Sequence, residues 1–403
     1  MKNDINELAV LGGPPYFERP LHVGRPNVPD KQAFLARIED ALDRGWLTND
    51  GPLLRELEQR LADYLGVAHC VAMANATVAL EVLARGMNLS GEVIVPGFTF
   101  IATAHAFAWL GIEPVFCDVD PYTHSIDVAS AERAITSRTS AIVAVHLWGS
   151  ACDVHSLNAL STKTRLPVIY DAAHALGASV GTRRVGNFGA AEVFSFHATK
   201  FFNTFEGGAV TTNDPELASR LRLLRNFGFA GYDDVAELGT NAKLSEAHAA
   251  MGLSVLDHVN QLLDRNAETW IRYATALRNQ KALRMVPTRD GFGSNHQYVV
   301  CEVTDESPLT RDQLLQVLWL ENVRARRYFY PGCHRTPPYV QRRPRSLPVT
   351  ERLSDTVLVL PAGAGIAPEE IDGVLGLIDY ALAHANELKA LLPANLPPGA
   401  FTP

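Results

Sequence analysis

The sequence predicts an α/β fold, with a mostly parallel central sheet in a large domain and a smaller α+β domain after it. Short apolar runs alternate with helical segments between about residues 69 and 171, which is typical of βαβ units in a sheet covered on both faces. A long helical stretch over 244–279 separates this region from a second group of strands and helices. The length of 403 residues is sufficient for two domains.

The elements follow in a regular order. Residues 1–30 are rich in Gly and Pro, and two helical patterns, QAFLARIEDALDRGW and LLRELEQRLADYLG, come next. The strand candidates are HCVAMA, EVIVPGF, EPVFCDVD, SAIVAVHLW, LPVIYDAA, AEVFSFH and GGAVTTN, and Asp214 with Pro215 then predicts a capped helix start. We expect an N-terminal segment over 1–30, a large domain over 31–260, a small domain over 261–390 and a tail over 391–403.

Composition excludes several classes of function. Lys and Arg total 36 against 44 for Asp and Glu, and the resulting charge of −8 argues against general nucleic-acid binding. The five cysteines lie far apart without metal-binding spacing, so we expect no metal and a reduced, cytoplasmic protein. The N-terminus lacks the pattern of a signal peptide. The sequence contains no uninterrupted run of about 18 apolar residues, so it predicts no membrane-spanning helix.

Asp171 is a candidate ligand-binding residue because it ends the apolar run LPVIYD. In open α/β sheets, ligands bind outside the carboxyl ends of the strands. Asp171 could equally cap a helix over the following AAHALG. His174, three residues on, would orient Asp171 or simply pack.

Lys200 is one of only seven lysines and stands in the aromatic stretch FSFHATKFFNTFEGG. Burial lowers the pKa of an ammonium group, and a lysine with a lowered pKa can attack a carbonyl to form a Schiff base. The alternative is a surface lysine with a buried stem. Ser195 and the Gly207–Gly208 pair lie close in sequence and favour the functional interpretation.

Asp171 and Lys200 together indicate pyridoxal phosphate, with Lys200 holding the aldehyde and Asp171 pairing with the pyridinium nitrogen. The helix start in ANATVAL, at Ala76 and Thr77, is suited to a phosphate, although Thr77 could be an ordinary N-cap. The motif PGFTF places Phe98 and Phe100 at another strand end, where an aromatic ring could stack on the cofactor or join the core.

The blocks VIYDAAHALGAS and FSFHATKFFNTFEGGAV resemble the DegT/DnrJ/EryC1/StrS family of sugar aminotransferases, which depend on pyridoxal phosphate and have the fold-type I architecture. The resemblance extends from GRPN at 24–27 to LVLPAG near the end. It implies the following roles: Lys200 as the Schiff-base lysine, Asp171 as the pyridinium partner, His174 near the ring, Ala76, Thr77 and Ser195 at the phosphate, and Phe100 stacked on the ring.

The resemblance also implies a homodimer with shared active sites. The segment GTNAKLSE is similar to one whose asparagine reaches the phosphate of the neighbouring subunit, so Asn241 would act in trans. A loop or cap role for Asn241 remains open. Two positions depart from the family pattern: Ala76 replaces a frequent glycine, and Lys243 replaces a frequent arginine.

These expectations define a nucleotide-sugar aminotransferase that takes its amino group from glutamate or glutamine. The resemblance points to amination at C4 of TDP-4-keto-6-deoxyglucose, which gives TDP-4-amino-4,6-dideoxyglucose. Candidate substrate contacts are Arg25, Asn27, Lys243, Tyr328, Tyr330 and His334.

Four alternative functions compete with this prediction. Amination at C3 shares the same catalytic core. The family's deoxygenating branch has a histidine in place of the lysine, so Lys200 argues against it. A non-catalytic regulator that binds the cofactor or a nucleotide sugar is opposed by the intact Lys200, Asp171 and Ser195. A NAD-dependent dehydrogenase would need a GxGxxG motif after an early strand, which is missing.

Overall fold

The computed structural model describes residue 2, residues 4–342 and residues 346–400. The described strands, in chain order, are Leu21–His22 (β1), His69–Met73 (β2), Glu92–Pro96 (β3), Glu113–Cys117 (β4), Thr139–Val145 (β5), Val168–Asp171 (β6), Ser179–Val180 (β7), Arg183–Arg184 (β8), Ala191–Ser195 (β9), Gly208–Thr212 (β10), Phe229–Gly231 (β11), Asp234–Val235 (β12), Leu283–Met285 (β13), Phe292–Gly293 (β14), Val299–Val303 (β15), Val323–Arg324 (β16) and Val357–Leu360 (β17).

The helices surround these strands. In the same described ranges they are Lys31–Arg44 (α1), Pro52–Leu65 (α2), Ala76–Gly86 (α3), Ile101–Trp109 (α4), Val128–Ala134 (α5), Val154–Thr164 (α6), Pro215–Arg225 (α7), Glu246–Leu256 (α8), Val259–Leu277 (α9), Arg311–Leu320 (α10), Pro337–Val340 (α11), Pro348–Thr356 (α12), Pro368–Ala383 (α13) and Ala385–Leu391 (α14). No helix of these ranges is both long and apolar enough to cross a membrane.

The central sheet has the strand order β2-β10-β9-β6-β5-β3-β4, and β10 alone among them runs antiparallel to its neighbours. Helices cover both faces, which is why every residue of β3 is buried and its sequence EVIVP is apolar after the first position. On one face, α2 contributes Leu54, Leu57 and Leu61 to the core. The predicted mostly parallel α/β sheet is confirmed.

Helix starts in the large domain follow local sequence signals. The side chain of Asp214 accepts hydrogen bonds from the backbone at the start of α7, and Pro215 is its first residue, as predicted. The long helical stretch expected over 244–279 forms two helices, α8 and α9, with a break at Asp257 and His258. At the break, the carboxylate of Asp257 binds the guanidinium groups of Arg37 and Arg60 at 2.8 and 2.7 Å.

The second group of elements is built on the antiparallel sheet β13-β15-β17, with α9, α10 and α13 packed against it. Leu8 and Leu21 from the N-terminal segment join this core. The short strand β1 pairs in parallel with β16, so the N-terminal segment is tied to this part of the molecule. Residues 392–397 also lie against it through backbone hydrogen bonds to side chains of α10 and to Arg327.

Candidate active site

The site lies at the edge of the large sheet where the parallel strands end. A cavity of about 670 Å³ opens there, which we call the lysine cavity. It brings together eight residues that the sequence predicted as site residues: Ala76, Thr77, Phe100, Asp171, His174, Ser195, Lys200 and Tyr328. Residues from five separate segments therefore converge, and most of them do so because the sheet topology places strand ends side by side.

Lys200 lies in the loop between β9 and β10. Its Nζ donates a hydrogen bond to the phenol oxygen of Tyr298 at 2.9 Å. Burial lowers the pKa of Lys200 to about 8, although the neighbouring phenol of Tyr328 and carboxylate of Asp171 oppose this effect. A larger fraction of the amine is therefore uncharged near neutral pH than in an ordinary lysine, as nucleophilic attack on a carbonyl requires.

Asp171 ends β6 and is buried. Its carboxylate accepts hydrogen bonds from Thr103 Oγ1 at 2.7 Å and from the backbone N–H of Ala173 at 3.1 Å. Burial raises the pKa of Asp171, while these hydrogen bonds and the charge of Lys200 act in the opposite direction. The alternative role as the cap of a helix over 172–177 is wrong, because that segment forms turns.

His174 is buried beside Tyr298, with ring centroids 4.5 Å apart. Its Nδ1 has no hydrogen-bond partner among the residues that the structure describes. Burial, with a contribution from the charge of Lys200, lowers the pKa of His174 well below its usual range. The imidazole is therefore neutral at physiological pH, and it presents an unused polar atom within the cavity wall.

The start of α3 forms the opposite end of the cavity. The residue that caps this helix is Asn75, whose side chain accepts from the N–H of Val78 at 2.9 Å. The alternative of Thr77 as N-cap is thus wrong, and Ala76 and Thr77 occupy the first turn. Their position favours anion binding, because backbone N–H groups and the helix dipole both point to this end.

Gly208 allows β10 to approach this turn closely. A Cβ added to Gly208 would lie 2.6 Å from the backbone nitrogen of Ala76 and 2.8 Å from the carbonyl oxygen of Phe194. Ser195, the register partner of Gly208 on β9, lies at the same edge. The glycine therefore lets the helix start, the serine and the lysine loop share one small space.

Two aromatic residues of PGFTF have different roles in the structure. Phe100 is 57% exposed and lines the lysine cavity, where its ring is available to a ligand. Phe98 is fully buried and packs edge-on against Phe329 at 5.3 Å between centroids. The core alternative therefore holds for Phe98.

Five of the six predicted substrate contacts lie outside the lysine cavity, all except Tyr328. Arg25 donates to the carbonyl oxygen of Gly365 at 3.1 Å, and the side chain of Asn27 donates to that of Phe201 at 2.9 Å. Tyr330 lines an adjacent cavity of about 400 Å³ and stacks with the guanidinium group of Arg327 at 4.2 Å.

His334 is likewise outside the lysine cavity. It is buried, with Nε2 at 3.3 Å from a carboxylate oxygen of Glu351. Two further predicted residues, Asn241 and Lys243, also lie away from it. Asn241 is exposed and pairs with Asn226 across an isolated β-bridge. The Nζ of Lys243 lies 3.1 Å from the side-chain oxygen of Asn226.

The sequence did not single out Tyr298, which accepts a hydrogen bond from Lys200, or Thr103, which donates one to Asp171. Tyr298 belongs to a run interpreted only as a strand, and Thr103 to an apolar helix. A hydroxyl group in an otherwise apolar run was the available signal, since buried hydroxyls need a partner. The described residues hold no group of three or more His, Cys, Asp or Glu side chains that could bind a metal ion.

The chain belongs to the DegT/DnrJ/EryC1/StrS aminotransferase family, whose sequence profile matches residues 29–379. The protein is therefore an aminotransferase of this family.

The chain is also similar to several individual proteins. The chain is 35% identical over 374 residues to a dTDP-4-amino-4,6-dideoxy-D-glucose transaminase from Shigella dysenteriae, covering 93% of this chain and all of the relative. A GDP-perosamine synthase from Caulobacter vibrioides is 34% identical, covering 86% of this chain and 94% of the relative. The crystal structure of DesI with its TDP-sugar product superposes with a TM-score of 0.92 at 45% identity, covering 96% of this chain and 99% of DesI.

Proposed function

We propose that this protein is a pyridoxal-phosphate-dependent aminotransferase that transfers an amino group from glutamate to a nucleotide-linked keto sugar. The observation that carries this proposal is the convergence of Lys200, Asp171 and His174 in one cavity. These residues supply an amine with a lowered pKa, a buried carboxylate and a neutral imidazole at the carboxyl ends of parallel strands. Such a set is suited to this cofactor.

The residues fit pyridoxal phosphate in three respects. Asp171 is a buried carboxylate that forms no ion pair within the described residues, so a cationic ring nitrogen would neutralise it. His174 lines the same cavity and has a buried nitrogen without a hydrogen-bond partner among the described residues. The close approach of Gly208 to the start of α3 leaves backbone N–H groups for a phosphate.

Each of the residues that line this site would contact a particular part of the cofactor. Asp171 would hold the ring nitrogen, Ala76, Thr77 and Ser195 the phosphate, and Phe100 and His174 the ring. When bound, the cofactor supplies an aldehyde for amines and a cationic ring that stabilises negative charge on the neighbouring carbon.

Proton transfer falls to Lys200. With the cofactor and a substrate bound, the Nζ of Lys200 would be the base at the reacting carbon, and a pKa of about 8 suits both removal and return of a proton. Tyr298 keeps this amine within the cavity through its hydrogen bond.

For the acceptor, we propose C4 of TDP-4-keto-6-deoxyglucose. Support comes from the names of two relatives, from Shigella dysenteriae and Escherichia coli, that are dTDP-4-amino-4,6-dideoxy-D-glucose transaminases at 35% and 33% identity. A transaminase named for a 3-amino sugar, from Aneurinibacillus thermoaerophilus, is 34% identical, so C3 is the competing position.

We also propose a homodimer in which Asn241 completes the partner's site. Asn241 is exposed and lies away from the lysine cavity of its own chain, together with Lys243. In a two-fold dimer, a segment exposed on one copy can reach the same site on the other, and the reverse contact follows by symmetry.

The test is to supply the purified holoenzyme with glutamate and either the 4-keto or the 3-keto TDP sugar, and to identify products by mass spectrometry and NMR. A higher kcat/KM for the 4-keto sugar supports the proposal. A preference for the 3-keto sugar overturns the C4 assignment. Binding of the sugars without turnover would instead support a non-catalytic regulator.

A further inference from the structure

The imidazole of His174 is carried by residues 172–177, a segment of turns that we call the histidine turn. Nδ1 of His174 has no hydrogen-bond partner among the described residues. The ring packs instead beside two others, with its centroid 4.5 Å from that of Tyr298 and 6.0 Å from that of Trp148. The position of the imidazole therefore depends on how the backbone of the histidine turn is held.

Asn295 holds this backbone from outside the turn. Its side chain is fully buried, and its Nδ2 donates to the carbonyl oxygens of His174 at 2.8 Å and of Leu176 at 2.9 Å. Its Oδ1 accepts from the backbone N–H of Gln297 at 3.0 Å. These partners fix the orientation of the carboxamide, because the two carbonyl oxygens need donors and the N–H needs an acceptor.

The backbone of Asn295 is itself anchored on both sides. Its N–H donates to the carbonyl oxygen of Gly149 at 3.0 Å, and its carbonyl oxygen accepts from the side chain of Asn266 on α9 at 3.1 Å. Gly149 permits this approach, since a Cβ at that position would collide with the carboxamide of Asn295. Asn295 therefore has a fixed position from which its side chain reaches the histidine turn.

The segment 295–298 also reaches the loop that carries the reactive amine. The side chain of Gln297 donates to the carbonyl oxygen of Thr199 at 3.4 Å, and the phenol oxygen of Tyr298 accepts from Lys200 at 2.9 Å. One short segment thus contacts both the histidine turn and the lysine loop. Such shared support limits the relative movement of the imidazole and the amine, as a preorganised site requires.

We propose that Asn295 is a positioning residue for His174, because its carboxamide holds the histidine turn where the imidazole faces the cofactor ring. The inference rests on the proposed function, which places His174 against that ring. An ionised aspartate at position 295 would have nearly the same shape but no donor for the two carbonyl oxygens. It would still accept from the N–H of Gln297, so Asn295→Asp alters the contacts with the histidine turn and keeps the others.

The experiment is a double-mutant cycle measured through cofactor binding. The dissociation constant of pyridoxal phosphate and the visible circular dichroism of the bound cofactor are compared for wild type, Asn295→Asp, His174→Ala and the double variant. Asn295→Asp should weaken binding about tenfold when the imidazole is present. In the His174→Ala background the same substitution should weaken binding less than about twofold and leave the dichroism unchanged.

The matched control is Gln313→Glu on α10, which also exchanges a buried amide for a carboxylate. Gln313 donates to the carbonyl oxygen of Leu392 at 3.0 Å and does not line the lysine cavity. We expect this control to lower the free energy of unfolding in urea without changing cofactor binding or dichroism. If Asn295→Asp does not fold, Asn295→Ser, which keeps one hydroxyl donor, replaces it in the cycle.

Two outcomes would overturn the inference. One is equal weakening of cofactor binding with and without the imidazole, which would give Asn295 a purely structural role. The other is unchanged cofactor binding in a folded Asn295 variant. Failure of the proposed function is seen in the wild type alone. Cofactor binding without amination of any keto sugar would reject the acceptor and leave the role of Asn295 standing, whereas a wild type that binds no pyridoxal phosphate would overturn both.

Discussion

The amine of Lys200 lies 2.9 Å from the phenol oxygen of Tyr298, a residue 98 positions further along the chain. Tyr298 is itself buried, and its ring contacts His174. Tyr298 therefore links the reactive amine to the imidazole at the cavity wall, and it is a positioning residue for Lys200.

Replacing Tyr298 by phenylalanine removes the acceptor of this hydrogen bond. Because the bond favours the ammonium form, we expect the pKa of Lys200 in the cofactor-free protein to fall below about 8, by about half a unit to one unit. Modification of Lys200 by an amine reagent, followed by peptide mass spectrometry across pH, measures this. Lys200 should become reactive at lower pH in the variant.

The exposed Lys163 serves as an internal control, since its titration should be the same in both proteins. An unchanged or higher pKa for Lys200 in Tyr298→Phe would show that the hydrogen bond does not hold the amine.

Asp171→Asn should reduce turnover far more than it changes the fold, because the two side chains have nearly the same shape. Loss of one partner of a buried charge pair costs about 3–5 kcal/mol, which corresponds to about a 10²–10⁴-fold decrease in kcat. Single-turnover kinetics with glutamate measure the decrease. Turnover within a factor of about two of wild type would remove Asp171 from its proposed role.

Thr103→Val tests how Asp171 is held. The hydroxyl of Thr103 donates to the carboxylate at 2.7 Å, so its loss should raise the pKa of Asp171 further. A hydrogen bond to a charged group contributes about 1.5–3 kcal/mol, and we expect at least about a tenfold decrease in kcat. The decrease should grow as the pH falls. A pH-independent effect would indicate a purely structural role for Thr103.

Gly208→Ala should destabilise the protein and weaken cofactor binding. The new Cβ would meet the backbone at Ala76 at 2.6 Å, which cannot be relieved by turning a side chain. Overpacking of this kind costs about 1–3 kcal/mol, measurable by urea unfolding.

The matched control for this substitution is Gly231→Ala on β11. An added Cβ there meets nothing within 4 Å. We expect a change within about 0.5 kcal/mol. Equal effects of the two substitutions would contradict the close-approach explanation.

Mixing two inactive proteins tests the shared site. Lys200→Ala and Asn241→Asp subunits form heterodimers, and if Asn241 acts in trans, one site of each heterodimer carries neither substitution. An equal mixture should recover about a quarter of wild-type activity. With subunit exchange confirmed by native mass spectrometry, no recovery would place Asn241 in its own chain's site.

Residues at strand ends were predictable from the sequence because topology alone brings them together. Asp171, Ser195 and Lys200 follow recognisable apolar runs, and parallel strands end at one edge. Tyr298 was not predictable, because its contact with Lys200 depends on how the small sheet packs against the large one. The partners of Asp257 at the break between α8 and α9 were not predictable either, because Arg37 and Arg60 are distant from it in sequence.

Strand β10 runs antiparallel to both β2 and β9, and its register with them sets the positions of two parts of the site. Gly208 pairs with Met73 on one side and with Ser195 on the other, so the loop 196–207 leaves and re-enters the sheet at the same edge. A slip of β10 by a single residue would exchange its two faces and draw Gly208 away from Ala76. The same slip would lengthen or shorten the loop that carries Lys200, so phosphate turn and reactive amine would be mispositioned together.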